Sequence, residues 1–466
     1  MAAPMAEATG HEQWSSRIGF LMAAVGSSVG LGNLWRFSAE AGQNGGGAFV
    51  LVYLLCVVFI GIPVLMSEYV IGRGSTKASA VQSVQDLAGQ SGVSKKWSLL
   101  AWIGMVAAFM VVCFYSSVAG WVLAYIPKFL MGAFDGQDPK EIAAQFGALI
   151  NDPKAVIPYF TAFVVLTTWL VSRGVNRGIE WASKFLMPLF FVLLVSLAVY
   201  SLVSGAGTQV EIGGKTVNAT GYALTWLFQP DFSKVNLEVA TRALGQAFFS
   251  IGIGSAIMIT YGSYLKHGVN IPKSAAIVAL TDTGVALIAG MAIFPIVFSH
   301  GLSATAGAGL FFQTLPVALV SAPGGEYIGT AFFLLAIFAA VTSSISLLEV
   351  SAAWVIDKTG LSRPIAAWSL GLLMWGIGLG TVFSQKFFGF LDTTTGTLML
   401  PVSGLMVVLF VGWRLNKAVL AKELEGTSKL TIFLLMFLVR FVAPVAVSVI
   451  LVSGILEKYF GISLFT

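Results

Sequence analysis

Long apolar segments recur along this chain and are separated by shorter polar stretches. Each apolar segment has about 20 residues, which is the length of helix that crosses the hydrocarbon core of a bilayer. The short alternating segments of a membrane β-barrel do not occur, and a helix satisfies its own backbone groups in lipid. The pattern predicts eleven spanning helices, at roughly residues 18–38, 46–70, 98–126, 156–172, 180–203, 239–265, 274–299, 327–357, 365–384, 389–413 and 430–455.

Two of these segments are interrupted by small and polar residues: "GSSVGLGN" at 26–33 in the first and "SIGIGSA" at 250–256 in the sixth. Close packing between helices would also favour small residues. However, Asn33 and Arg36 follow the first interruption, and polar side chains at bilayer depth are costly unless they line a site. The first and sixth segments correspond if segments 1–5 and 6–10 are inverted repeats, and such paired broken helices offer backbone ligands in transporters.

Further polar residues lie inside apolar segments. The stretch "AAVTSS" at 339–344 places three hydroxyls in the eighth segment, and Asp282 lies in the seventh. Helical hydroxyls often bond to their own preceding turn, but an unpaired carboxylate in a span is very unfavourable. Oxygen ligands without histidine or cysteine suit a hard alkali cation better than zinc. The sequence therefore indicates a cation site between the broken segments.

Composition agrees with a membrane protein, since only 10% of the 466 residues are charged and 57% are hydrophobic. Most of the 26 lysines and arginines fall on one side, which predicts a cytoplasmic N-terminus and, after eleven spans, an outer C-terminus. The net charge of +5 reflects this asymmetry and implies no nucleic-acid partner. Cys56 and Cys113 lie within spans, so we expect no disulfide, and no catalytic constellation suggests an enzyme.

The spans divide the chain into five predicted parts. They are an N-terminal cytoplasmic segment at 1–17, a first repeat at 18–203, an extracellular loop at 204–238, a second repeat at 239–413, and a loop with the last span at 414–466. Within the extracellular loop, "TQVEIGGKTVNA" predicts a β-hairpin with a Gly-Gly turn.

Five motifs together resemble those of the neurotransmitter:sodium symporters, most closely the bacterial amino-acid transporters of that family. They are "SSRIGFLMAAVGSSVGLGNLWRF", "NGGGAFVLVY", "GIPVLMSEYVIGR", "GQAFFSIGIGSAIMITYGSY" and "AAVTSSISLLE". The resemblance covers nearly the whole chain. It implies an all-α polytopic membrane fold with an inverted five-plus-five repeat, broken spans 1 and 6 and an eleventh span. It also implies sodium-coupled uptake of an amino acid by alternating access, in the plasma (inner) membrane.

The resemblance also implies ligands for two sodium ions. The first site would use Ser28, Asn33, Ser250 and Asp282 with the carboxylate of the substrate. The second site would use five residues of spans 1 and 8: Gly26, Val29, Ala339, Thr342 and Ser343. Direct contact between the first sodium and the substrate carboxylate would couple the binding of the two.

By the same resemblance, the substrate carboxylate would meet the amides around Leu31 and Gly32 and the hydroxyl of Tyr115. The full implied substrate set comprises Ser28, Leu31, Gly32, Val111, Tyr115, Phe249, Ser250, Gly252, Ser255, Ser343 and Leu347. An outer gate of Arg36 and Asp392 would close one side. An inner latch of Trp14, His11, Asp357 and Tyr264 would close the other.

Four departures from related sequences sharpen the expectation. The monoamine branch has an aspartate where Gly32 stands, so Gly32 favours a substrate with its own carboxylate. A leucine-transporting bacterial member has larger residues where Gly252 and Ser255 stand, so we expect a bulky neutral side chain, aromatic or long aliphatic. Chloride-dependent animal relatives have a serine where Ala286 stands, so we expect no chloride requirement. His11 replaces the usual arginine of the latch, which makes closure sensitive to pH.

Other functions remain open at this point. A small amino acid or another small zwitterion could occupy the site with water filling the space beside Ser255. A sodium-dependent sensor or a channel-like protein on the same fold belongs to a different functional class. A channel needs a continuous polar pore, which the paired gates disfavour, and a sensor usually adds a soluble output domain.

Overall fold

The computed structural model describes residues 12–212, 214–304 and 309–462. Nine helices in this part are long and apolar enough to cross a membrane: Gly47–Gly74, Lys95–Leu130, Pro153–Ser172, Val175–Ala206, Ile271–Ser299, Gly325–Thr359, Arg363–Phe383, Gln385–Arg414 and Lys429–Phe460. They correspond to predicted spans 2–5 and 7–11, and we number them so. The all-α prediction is confirmed.

The two remaining spans are broken, as predicted. Span 1 consists of Arg17–Ser28 and Gly32–Gln43, and its two halves meet at an angle of 50°. Span 6 consists of Leu237–Ile251 and Ile257–Ser263, separated by residues 252–256. At each break, the helical backbone hydrogen bonds stop where the sequence has glycine and serine instead of the large apolar residues of the other spans.

Short elements cover the ends of the spans. The helices among them are Ala80–Gln90, Pro139–Ile150, Ala219–Phe228, Leu310–Val320 and Lys417–Glu423. Strands Gln209–Ile212 and Lys215–Asn218 pair antiparallel, with Ile212 opposite Lys215. This pairing confirms the predicted hairpin.

Burial separates the central spans from those that face lipid. In the most apolar part of span 8, 83% of residues are buried, whereas the figure for span 11 is 28%. Span 8 also carries ten consecutive small or apolar buried residues from Ala339 to Leu348, followed by the buried Glu349. Because lipid is as apolar as a protein core, an exposed apolar surface on span 11 is stable in a bilayer. The broken spans and span 8 therefore meet at the centre of the molecule.

Candidate functional site

The break in span 6 depends on backbone conformations that favour glycine. Gly252 and Gly254 have φ angles of 74° and 81°, in the left-handed region. A side chain at Gly254 would also collide with the carbonyl of Leu400 in span 10. The break faces the one in span 1, because the Ser28 hydroxyl donates to the carbonyl of Ile251 at 3.2 Å. Two helix ends with freed backbone groups thus face each other inside the protein.

A buried carboxylate joins spans 1, 6 and 7 beside these breaks. Asp282 is fully buried. It accepts hydrogen bonds from Asn33 Nδ2 at 2.7 Å and from the Ser250 hydroxyl at 2.8 Å. The Asn33 amide oxygen also accepts from the Gly30 N–H at 2.9 Å, and its second lone pair can still bind a cation. The structure brings together three of the four residues predicted for the first sodium site, and Ser28 lies at the adjoining contact with span 6.

A second group of oxygens joins spans 1 and 8. The Ser343 hydroxyl lies 3.4 Å from the carbonyl of Gly26 and 3.3 Å from that of Val29. It is also 3.3 Å from the carbonyl of Ser27, which the sequence prediction did not include. Thr342 donates to the carbonyl of Ala339 at 3.1 Å. Gly26, Val29 and Ser343 therefore share one group of oxygen atoms, and Thr342 and Ala339 form a separate hydrogen-bonded pair on span 8.

The predicted carboxylate-binding groups also lie together. The Leu31 N–H donates to the Tyr115 hydroxyl at 3.2 Å, and Gln246 donates to the carbonyl of Gly32 at 3.2 Å. The Ser255 hydroxyl donates to the carbonyl of Gly252 at 2.5 Å and accepts from the Ile257 N–H at 3.5 Å, which leaves one lone pair. The remaining predicted wall residues lie on spans 3, 6 and 8 and are buried or half-buried: Val111, Phe249 and Leu347.

A cavity of about 390 Å³ leads from this region to one surface of the protein. Leu31, Tyr115 and Phe249 line its inner end. Arg36 and Asp392 line it higher up, and no ion pair within 4.0 Å joins them in the described part of the chain. Arg36 instead lies over the ring of Phe249, 4.3 Å from its centroid. The two residues predicted as the outer gate therefore line one cavity without forming an ion pair in this structure.

The opposite side is closed around Trp14. Its indole N–H donates to the carbonyl of Tyr261 at 3.1 Å, and its backbone N–H donates to the carbonyl of Tyr264 at 3.2 Å. The Asp357 carboxylate accepts from the Ser79 hydroxyl at 2.9 Å. His11 lies outside the described residues, so its predicted pairing with Asp357 stays a prediction. Trp14 and Tyr264 form one latch, whereas Asp357 contacts the loop after span 2.

An ion cluster that the sequence prediction missed lies next to this latch. Arg363 binds Glu349 with both of its terminal nitrogens, at 2.7 and 3.0 Å, and binds Glu12 at 2.9 Å. The Tyr264 hydroxyl donates to Glu349 at 2.8 Å, and the Val175 N–H donates to Glu12 at 3.0 Å. Glu12 is outside the spans, and its burial raises the pKa of this carboxyl while Arg363 lowers it, with a net rise.

Two more buried carboxylates hold the broken spans in place. Glu68 of span 2 accepts from the Gly254 N–H at 2.7 Å, and so satisfies one of the amides that the break exposes. Glu180 of span 5 accepts hydrogen bonds from the backbone and hydroxyl of Ser15, and pairs with Lys184 at 2.6 Å. Glu68 and Glu349 stood inside motifs already noted. Their ionisable side chains at bilayer depth were the signal that could have marked them.

The chain matches the model of the sodium:neurotransmitter symporter family over residues 11–136 and 144–461. An uncharacterised sodium-dependent transporter of Bacillus subtilis (strain 168) is 35% identical to it, covering 96% of this chain and 98% of the relative. Another from Haemophilus influenzae is 33% identical, covering 95% and 98% of the two chains.

Among solved structures, the chain is similar to MhsT in complex with L-phenylalanine. The TM-score is 0.85 at 37% identity, and the match covers 96% of this chain and all of the other. The likeness therefore extends over both broken spans and the cavity between them.

Proposed function

The chain belongs to the sodium:neurotransmitter symporter family and is a sodium-dependent transporter of the membrane, and we propose that it takes up a neutral amino acid with a bulky hydrophobic or aromatic side chain. Two sodium ions accompany each substrate. The N-terminus is cytoplasmic, and the repeats 18–203 and 239–413 alternate in opening the site to either side. Two ions, each with a membrane potential of about 100 mV and a tenfold gradient, supply on the order of 7 kcal/mol.

One observation carries this proposal. The hydrogen bonds of Asp282 to Asn33 and Ser250 gather oxygen atoms from three spans, and the Leu31 amide, two residues before Asn33, donates to the Tyr115 hydroxyl. A cation at the first group contacts an anion at the second, so each stabilises the other. A zwitterionic amino acid supplies that anion. Its ammonium group then has the carbonyls freed by the two breaks as acceptors.

The proposed side-chain size rests on two predicted wall residues, Gly252 and Ser255, which are not among the residues that line the cavity in this structure. Both contribute little volume, and an apolar void forfeits contacts on every side. The remaining lone pair of Ser255 can accept a hydrogen bond from an indole N–H or a phenol. The complex of the similar protein MhsT with L-phenylalanine supports an aromatic substrate.

Chloride is not required in this proposal. Ala286 lies one helical turn after Asp282 and offers no hydroxyl to an anion. The fixed charge of Asp282 repels a second anion nearby. The Tyr53 hydroxyl and the Gln246 amide oxygen lie in the same region, without hydrogen-bond partners in the described residues. Uptake that stops when chloride is replaced by gluconate would contradict this part of the proposal.

The main test is uptake of labelled phenylalanine by proteoliposomes with sodium or choline outside. We expect uptake to require sodium, and counterflow of the label to occur, since a channel or sensor does not exchange substrate. Ser343→Ala should raise the sodium concentration for half-maximal uptake. Its neighbour Ser344→Ala is the matched control, because the Ser344 hydroxyl bonds to Thr167 instead. Equal sodium dependence of the two variants would refute the second sodium site.

A further inference from the structure

A second cavity lies outside the transport path, at the membrane face where the Trp14 latch is closed. Its volume is about 420 Å³, within the range of small-ligand sites. Helix Ala80–Gln90 supplies most of its lining, and the loop before that helix, the start of span 3 and the end of span 8 supply the rest. These last three segments contribute one lysine each: Lys77, Lys95 and Lys358.

The lysines give the cavity an uncompensated positive charge. None of the three has a carboxylate oxygen within 4.0 Å of its ammonium nitrogen in the described part of the chain. Asp86 is the one acidic residue of the lining, and it already accepts a hydrogen bond from the Ser75 hydroxyl at 2.7 Å. Three positive charges and one negative charge leave the lining with two net positive charges. Such a lining favours an anion with several oxygen acceptors.

Aromatic and apolar side chains beside the lysines make the cavity suitable for a lipid headgroup. Trp102 and Trp354 line it and contact each other edge to face, with ring centroids 4.9 Å apart. Tryptophan is enriched at the level of the headgroups. Leu99, one turn from Lys95 at the start of span 3, is 53% exposed and offers an apolar surface beside the cavity. A molecule that places its phosphate among the lysines can therefore lay its acyl chains against span 3.

We propose that this cavity binds the phosphate headgroup of an anionic phospholipid. Basic pockets between membrane helices bind such headgroups, and anionic lipids are concentrated in the cytoplasmic leaflet. The leaflet assignment rests on the orientation proposed above, but the binding chemistry does not. The bound phosphate bridges Lys95 on span 3 and Lys358 on span 8. Span 8 also carries Asp357, the residue before Lys358, which accepts from the Ser79 hydroxyl on the same side.

Native mass spectrometry of the purified full-length protein tests this proposal, with phosphatidylglycerol as the probe and phosphatidylcholine as the neutral comparison. The variant Lys77→Gln/Lys95→Gln/Lys358→Gln should bind phosphatidylglycerol about tenfold more weakly or worse. A matched control removes three lysines from the same face outside the cavity: Lys266→Gln/Lys273→Gln/Lys417→Gln. The control should bind as the wild type does.

Two further measurements keep the result interpretable. Replacing the three cavity lysines by arginine preserves the charge and should preserve binding, which separates lost charge from misfolding. Inorganic phosphate identifies the source of the anion: failure to displace the lipid supports a headgroup site. If inorganic phosphate displaced phosphatidylglycerol and occupied the site to the same extent, the ligand would be a soluble phosphate and the lipid proposal would be wrong. Equal loss in both glutamine triples, or equal binding of phosphatidylcholine, would overturn the site itself.

Discussion

Replacing Arg363 tests whether the missed ion cluster keeps the inner side closed. Glu349 is fully buried, and Arg363 supplies two of its three hydrogen bonds. Arg363→Gln leaves that carboxylate with the Tyr264 hydroxyl alone. Removing one partner of a buried ion pair costs about 3–5 kcal/mol. The side chain of Glu12 is 38% exposed, so its pair with Arg363 adds at most about 1 kcal/mol.

This cost falls on the closed form, because opening the inner side hydrates Glu349. Even 3 kcal/mol changes the ratio of closed to open molecules by more than about 100-fold. We therefore expect Arg363→Gln to hold the inner side open in sodium. The double variant Glu349→Gln/Arg363→Gln, which removes the buried charge with its partner, should recover much of the closed population.

Labelling of a single cysteine by a maleimide measures the opening. We would place it at Ser263, which is half-buried on the inner half of span 6, after replacing Cys56 and Cys113 by serine. Arg363→Gln should raise the labelling rate in sodium by at least about tenfold. Arg177→Gln, an exposed arginine on the same side, is the control. Labelling as slow as in the wild type, or an equal increase in the control, would refute the role of the cluster.

Three other expectations concern substrate, pH and stability. Ser255→Phe should shift the ranking in competition assays from Trp and Phe toward smaller side chains, by about 1–3 kcal/mol per methylene-sized misfit; an unchanged ranking would contradict the proposed pocket. The pKa of Glu12 is raised where its carboxyl contacts Arg363 and Val175, so the protein binds a proton more readily in this closed form than when Glu12 is released into water. Acid should therefore favour the closed inner side. Glu12→Gln should remove the share of the pH dependence of the cysteine labelling rate that comes from Glu12, and His11→Ala should remove the remaining share. If both variants kept the wild-type pH profile, neither residue would control the closure. Gly254→Ala should lower Tm because of its positive φ and the contact with Leu400, whereas Gly284→Ala, in open space on span 7, should not.

The interruptions of spans 1 and 6 could be predicted because their cause is local. Glycine lowers the cost of leaving the helix, and polar residues at depth require partners, so "GSSVGLGN" and "SIGIGSA" identify the breaks without any neighbour. The eleven spans follow from segment length in the same way. The residues of the two predicted sodium sites were assigned through family motifs. In the structure, hydrogen bonds of Asp282 join most residues of the first site, and those of Ser343 join most of the second.

Only the tertiary structure decided which charges meet. Glu12, Glu349 and Arg363 come from three separate elements, and no local pattern specifies that their side chains converge. The position of Arg36 over Phe249 and the hydrogen bonds of Trp14 to Tyr261 and Tyr264 likewise depend on how the helices pack. The local conformation of the backbone depends on neighbouring residues in the sequence, whereas the pairing of buried charges depends on how helices that are distant in the sequence pack together.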